Sequence, residues 1–166
     1  MTTSGGSPDL TTRTVTEPAP RARSHSTRSK ARKRALDILF EAELRGNDPL
    51  ETLAVRTERA EPPVREYTAA LVQGVVRHRA EIDRRIAASM SKSWTVERMP
   101  RVDRTAARIA VYEIDFGDVP DAVAVSEAVA LVTELSTDES PAYLNGLLSA
   151  VLATKTPDAE PPAQSA

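Results

Sequence analysis

The residues with the most evident chemistry form a basic run near the start of the chain. No carboxylate lies between Pro18 and Leu36, and seven cations do: Arg21, Arg23, Arg28, Lys30, Arg32, Lys33 and Arg34. The net charge of the whole chain is −2, so this positive segment belongs to an otherwise acidic protein. A concentrated basic run is a candidate site for a polyanion. Charge by itself leaves open the alternative of a solvated helix face behind a solubilising tail.

Residues that could support catalysis are scarce. The chain has no cysteine and only two histidines, His25 and His78, which argues against thiolate chemistry, zinc sites and histidine metal centres. It contains no phosphate-binding loop, dinucleotide-binding glycine motif, nucleophile elbow or zinc-protease motif. Asp138 and Glu139 are better explained by a helix start than by a bound cation. We therefore expect neither an enzyme nor a protein that needs a metal or cofactor.

The location of the protein can also be predicted from its sequence. No stretch approaches the roughly 18 consecutive apolar residues that a membrane-spanning helix requires. The segment from Met1 to Leu10 lacks the basic and apolar regions of a secretory signal. We expect a soluble, cytoplasmic protein that does not bind membranes.

Prolines separate the elements that must position the basic run. Half of the 12 prolines lie in polar terminal segments, which we expect to be disordered arms at 1–27 and 156–166 around one domain at 28–155. The other six separate segments of helical periodicity. The predicted helices are 29–46, 50–60, 64–91 with a break near His78, 94–99, 103–116, 121–136 and 140–154. No segment alternates with a period of two, so we predict an all-α fold, a compact bundle of about seven helices.

The first predicted helix is amphipathic, with a basic outer face. Its apolar stripe includes Ile38 and Leu39, and Leu36 and Phe40 form a second patch, one turn apart. Cations in a first turn oppose the helix dipole, at a cost of roughly 0.3–1 kcal/mol each when exposed. A bound polyanion would explain this arrangement. The patch of Leu36 and Phe40 could pack in the core or contact a partner.

Four blocks of the sequence resemble the NusB family in the order of that family. They are the basic helix from Ala31 to Ala42, the apolar helix from Val102 to Ile114, the turn and helix from Asp118 to Val129, and the acidic loop and Tyr-Leu-Asn-Gly motif from Glu134 to Leu148. The resemblance implies a two-subdomain helical fold and a transcription antitermination factor. It also implies binding of single-stranded boxA-type RNA together with NusE, a small-subunit ribosomal protein, within an RNA polymerase complex that supports ribosomal RNA transcription.

The resemblance also implies site residues. It assigns RNA contacts to Arg28, Lys30, Arg32, Lys33, Glu139, Ser140 and Tyr143. It assigns partner contacts to Phe40 and Asp103, and the patch analysis adds Leu36. Tyr143 could stack on an unpaired base or anchor the last helix in the core. Trp94 is expected to anchor its short segment to the core, and a homodimer through the Leu36 and Phe40 patch is the alternative function.

Overall fold

The part of the chain that the structure describes folds into a bundle of seven α-helices with one short 3₁₀ helix. The computed structural model describes residues 26–156, and no strand occurs among them. The helices are α1 (Thr27–Arg45), α2 (Pro49–Arg59), α3 (Glu66–Arg77), α4 (Arg79–Ala88), α5 (Arg101–Phe116), α6 (Asp121–Leu135) and α7 (Ser140–Ala153), and the 3₁₀ helix is Val96–Arg98. The all-α prediction is confirmed. The predicted arms at 1–27 and 156–166 lie almost entirely outside the described residues.

The ends of the helices follow from local chemistry. Ser26 caps α1, and Gly46 ends it with a positive φ of 68°, a conformation that costs glycine little. Asp48 caps α2, whose first residue is Pro49. His78 has non-helical torsion angles and separates α3 from α4, which confirms the predicted break.

The central element is α5, which packs against α1, α3, α4, α6 and α7. Its residues from Asp103 to Val111 are all buried, as expected for a helix covered on several sides. The first three helices form one group, in which α1 contacts α2 and α3, and α4 to α7 form the second group around α5. The two groups meet where α1 and α3 pack on α5.

One of the last three predicted helix starts differs from the structure: α5 begins at Arg101, two residues before the predicted 103, whereas α6 and α7 begin at the predicted 121 and 140. Aspartate is a typical N-cap residue, but Pro100 and Pro120 take those positions, and Asp103 and Asp121 lie in the first turns of α5 and α6. Ser140 is the first residue of α7 and not its cap. Both aspartates place negative charge at the positive end of a helix dipole.

Candidate nucleic-acid interface

The start of α1 presents two cations to solvent. Arg28 and Lys30 are exposed. The guanidinium carbon of Arg28 lies 4.4 Å from the centroid of the Tyr67 ring, and a guanidinium nitrogen lies 3.7 Å from a carboxylate oxygen of Asp118. An exposed ion pair of this kind contributes only ~0–1 kcal/mol. Both cations can therefore turn towards an incoming phosphate at little cost.

Arg32 lies in the core, so the expectation that it faces RNA is wrong. Its side chain is 3% exposed, and its Nε and Nη2 each donate a hydrogen bond of 2.8 Å to Glu113. The Tyr67 hydroxyl donates to the same carboxylate at 2.5 Å. Desolvation opposes the charged form of Arg32, but the hydrogen bonds and charge of Glu113 outweigh it and raise the pKa of Arg32. The sequence placed Arg32 at the border of the apolar stripe. Its side chain points inward because it pairs with the buried Glu113, 81 positions away in the chain.

Two further residues of α1 contact acidic residues of α6. Lys33 donates a hydrogen bond of 2.5 Å to Glu134, and this bond raises the pKa of Lys33. The two side chains are 44% and 43% exposed, so the pair is accessible to solvent. Ser29, which interrupts the basic run, donates to both carboxylate oxygens of Glu127 at 2.9 Å. The serine is thus a contact between helices and not a gap in a continuous cationic surface.

The start of α7 is fixed by a buried carboxylate. Asp103 accepts hydrogen bonds from the hydroxyls of Ser136, at 2.6 Å, and Ser140, at 2.9 Å. Asp103 and Ser140 are both only 2% exposed. The expectations that Asp103 contacts a protein partner and that Ser140 contacts RNA are therefore not met by their placement. They position the exposed Glu139 and the start of α7, and Tyr143 lies one turn further along that helix.

Tyr143 is accessible, as stacking on a base requires. It is 40% exposed, which favours the stacking role over the core anchor. Burial of part of the side chain and the negative charge of Asp103 raise the pKa of the Tyr143 phenol, so the hydroxyl stays neutral. The helix is anchored instead by Leu144 and Leu148, which are fully buried.

The predicted RNA contacts lie at two separate places along α5. The start of α1 is tied to Glu113 through Arg32, and the start of α7 is tied to Asp103. Ten residues of helix separate these two acids, which corresponds to about 15 Å at 1.5 Å per residue. Lys33 of α1 contacts Glu134, near the end of α6. A ligand that contacts both places must span about this distance.

The exposed apolar patch on α1 is displaced from its predicted position. Leu36 is 3% exposed and belongs to the core, which is one of the two alternatives that the sequence left open, and it is therefore not accessible to a partner. Phe40 is partly buried and packs against the core, and Leu44, one turn later, is 56% exposed. The accessible patch therefore consists of Phe40 and Leu44. Leu44 follows Phe40 by four residues, a spacing from which this pair could have been found.

Trp94 was missed as a candidate functional residue. It is 39% exposed, and its segment is anchored by Val96 and Met99, which are 5% and 2% exposed. The prediction that Trp94 anchors the segment is wrong for this reason. A hydrophobic side chain in a short segment is normally its anchor, and the sequence carries no pattern that distinguishes three candidates within six residues.

Two other classes of site, a metal centre and a membrane-spanning helix, are absent from residues 26–156. No group of three or more histidine, aspartate and glutamate side chains in this range could hold a metal ion. None of the helices in the same range combines the length and hydropathy that a membrane span needs.

Comparisons with known proteins identify relatives of the whole domain. Residues 29–153 match the model of the NusB family. The chain is 56% identical over 137 residues to the transcription antitermination protein NusB of Acidothermus cellulolyticus, covering 81% of this chain and 94% of that protein. It is 53% identical over 131 residues to the protein of the same name from Nocardioides sp., covering 78% of this chain and 96% of the relative.

Solved structures give the same result. A crystal structure of the antitermination factors NusB and NusE in complex with double-stranded RNA contains a chain similar to this one, with a TM-score of 0.69 and 29% identity over 77% of this chain and 97% of that chain. NusB from T. maritima has a TM-score of 0.71 at 24% identity, over 81% of this chain and 96% of that chain, and supports the fold alone.

Proposed function

This chain belongs to the NusB family, and from that premise we propose that it is an RNA-binding transcription antitermination factor. It binds boxA-type leader RNA together with NusE and acts within an RNA polymerase complex that supports ribosomal RNA transcription. The observation that carries the proposal is the pair of exposed cations at the start of α1, Arg28 and Lys30, together with the exposed Tyr143 near the start of α7.

The RNA in this proposal is single-stranded. A related NusB–NusE structure contains double-stranded RNA. An exposed tyrosine such as Tyr143 stacks on a base only when that base is unpaired, whereas the cations engage phosphates of either form. An extended strand can also follow the path of about 15 Å, ten residues at 1.5 Å per residue, from the start of α1 to the start of α7.

Acidic residues beside the cations determine which of the cations can bind phosphates. Lys33 is paired with Glu134, and Arg32 is neutralised inside the core by Glu113. We therefore assign phosphate contacts to Arg28 and Lys30 first, with Lys33 contributing when its pair with Glu134 opens. Charged side chains that position a backbone in this way add affinity and little sequence preference.

The test is the salt dependence of binding to a boxA-type oligoribonucleotide, with and without NusE. If three to five phosphates are engaged, log K should fall against log salt with a slope of about −2 to −3.5. The double variant Arg28→Ala, Lys30→Ala should lose about 1.4 from this slope, since each phosphate on a single strand contributes about 0.7.

A matched control lies at the other end of the same helix. Arg45 is also exposed and carries the same charge, but it is about 25 Å from Arg28 along α1, at 1.5 Å per residue. Arg45→Ala should leave both affinity and slope unchanged. Equal losses of RNA affinity in the two variants would show that net charge alone controls binding. If neither variant lost affinity, the proposed phosphate contacts of Arg28 and Lys30 would be wrong. A hairpin of the same sequence should bind more weakly than the single strand.

We further propose that NusE contacts the patch of Phe40 and Leu44. Leu44 is an exposed large hydrophobic residue with no covering side chain, as expected at an interface between proteins. Leu44→Asp should weaken the NusE complex and leave binding of RNA by the chain alone unchanged. Sedimentation of the chain alone tests the homodimer: a dimer that dissociates in Leu44→Asp would assign the patch to self-association instead.

A further inference from the structure

A cleft of about 720 Å³ opens between the segment before α5 and the start of α7. Trp94 lines one part of it and Tyr143 another, and Asp103 and Ser140 also contribute to its lining. Its volume is within the ~300–1,000 Å³ of sites that bind small molecules. The cleft can therefore hold one planar heterocycle between side chains of this protein.

Two aromatic side chains in the lining are accessible to a ligand. Trp94 is 39% exposed and Tyr143 is 40% exposed. The guanidinium carbon of Arg98 lies 4.6 Å from the centre of the Trp94 ring. Arg98 does not line the cleft, so this contact leaves the part of the indole in the cleft free.

The wall that carries Trp94 is held in place by α5. Arg104 donates hydrogen bonds through Nη1 to the carbonyls of Val96, Glu97 and Met99, at 3.4, 3.0 and 3.1 Å. Val96 and Met99 are buried in the core. The opposite wall is fixed by the hydrogen bonds between Asp103 and the start of α7. Both aromatic side chains are thus carried by backbone that is positioned before any ligand arrives.

The cleft has carboxylates in its lining and cations on the adjoining segment. Asp103 and Glu139 belong to the lining. Lys92 and Arg98 are exposed on the same segment as Trp94, where they can contact the phosphates on either side of a bound base. Aromatic side chains that accept unpaired bases are a general feature of single-strand recognition.

We propose that this cleft receives one unpaired base of the RNA and that Trp94 is its second stacking surface, beside Tyr143. The inference rests on the proposed function, since it names the part of the RNA that this end of the interface binds. In this proposal Trp94 contacts the RNA directly, and the base that occupies the cleft is the one whose removal weakens binding more than removal of its neighbours.

The test uses the fluorescence of the full-length chain, in which Trp94 is the only tryptophan. Addition of a boxA-type oligoribonucleotide should quench this fluorescence at the concentration where binding occurs. A series of oligonucleotides, each with one abasic position, should contain one that binds about 5- to 150-fold more weakly and no longer quenches, the effect of losing one stacked base.

Variants assign the effect to Trp94. Trp94→Leu should weaken binding by about 5- to 150-fold and remove the penalty at that one abasic position, whereas Trp94→Phe should keep most of both. Phe116→Leu is the matched control, because Phe116 is also an exposed aromatic, at 37%, and does not line the cleft. It should bind as the wild type does. The slope of log K against log salt should be the same in all of these proteins, since stacking involves no net charge.

The outcomes separate this inference from the proposed function. If the chain binds the oligonucleotide with the expected slope, but neither quenching nor a position-specific penalty occurs, the cleft is not a base site and the inference is overturned. If no RNA binds at all, the proposed function fails. Quenching by NusE alone, without RNA, would assign the cleft to a protein side chain and would also overturn the inference. The abasic series uses the wild-type protein, so this part of the test does not depend on whether a variant folds.

Discussion

At the scale of single residues, neighbouring cations of the same helix have different tasks. Arg28 and Lys30 are exposed, whereas Arg32 forms a buried pair with Glu113, in which the two side chains are 3% and 1% exposed. Removing one partner of such a pair leaves an uncompensated charge in a medium that solvates it poorly. Arg32 therefore acts on RNA binding only through the folded state of the protein.

The buried pair gives a prediction about stability. Arg32→Met should lower the free energy of unfolding by about 3–5 kcal/mol, because Glu113 is left without its main partner. The double variant Arg32→Met, Glu113→Gln should recover a large part of this loss, since no buried charge remains. Chemical denaturation of the three proteins measures both effects. A double variant as unstable as Arg32→Met would show that the packing of Arg32 matters more than its charge.

At the scale of elements, ion pairs tie α1 to its neighbours on several sides. Arg56 of α2 donates a hydrogen bond to Glu41 of α1, and Arg104 of α5 donates one to Glu43 of α1. The first of these bonds lowers the pKa of Glu41 below its usual value. Contacts of this kind fix how α1 lies on the bundle, and hence the direction in which Arg28 and Lys30 point.

The lowered pKa of Glu41 gives a prediction about pH. A carboxyl whose pKa is lower in the folded state contributes its full stabilisation above its ordinary pKa of about 4.3 and loses it as the pH falls through the lower folded value. Wild type should be more stable than Glu41→Gln at about pH 6, by ~0.3–1 kcal/mol, and the difference should vanish at about pH 3. Thermal unfolding at both values measures this. A constant difference would contradict the ionic origin of the contact.

At the scale of the whole molecule, the described helices coincide with the segment that matches the family. The family match covers residues 29–153, and the described helices run from Thr27 to Ala153. The core extends from Ala31 to Val151. The polar, proline-containing composition of the terminal segments predicts that they add little to the core, so we expect residues 26–156 to fold on their own.

Truncation tests this expectation. A chain of residues 26–156 should unfold within ~0.5 kcal/mol of the full-length chain, the scale of changes that remove no buried contact. A chain of residues 33–156 should be much less stable, since it lacks Arg32 and the cap formed by Ser26. Denaturant titrations compare the three. Marked destabilisation of the longer fragment would show that the terminal segments pack on the domain.

The amino-acid sequence by itself determined the helices, their order and the central position of α5. Prolines and glycine at the boundaries and apolar residues three and four apart act locally, so the break at His78 and the apolar face of α7 could be predicted without knowledge of the fold. The basic start of α1 was predicted in the same way, whereas the sequence left open whether Tyr143 stacks on a base or packs in the core.

Only the tertiary structure decided which of the candidate residues are accessible to a ligand or a partner. Four of these residues point inward. Arg32, Asp103 and Ser140 form hydrogen bonds with partners 33 to 81 residues away in the sequence, and Leu36 packs in the core. Trp94 stayed accessible because Val96 and Met99 filled the core in its place. The physical reason is that the direction of a side chain at the edge of an apolar stripe depends on which helix packs there, and this depends on contacts distant in the chain.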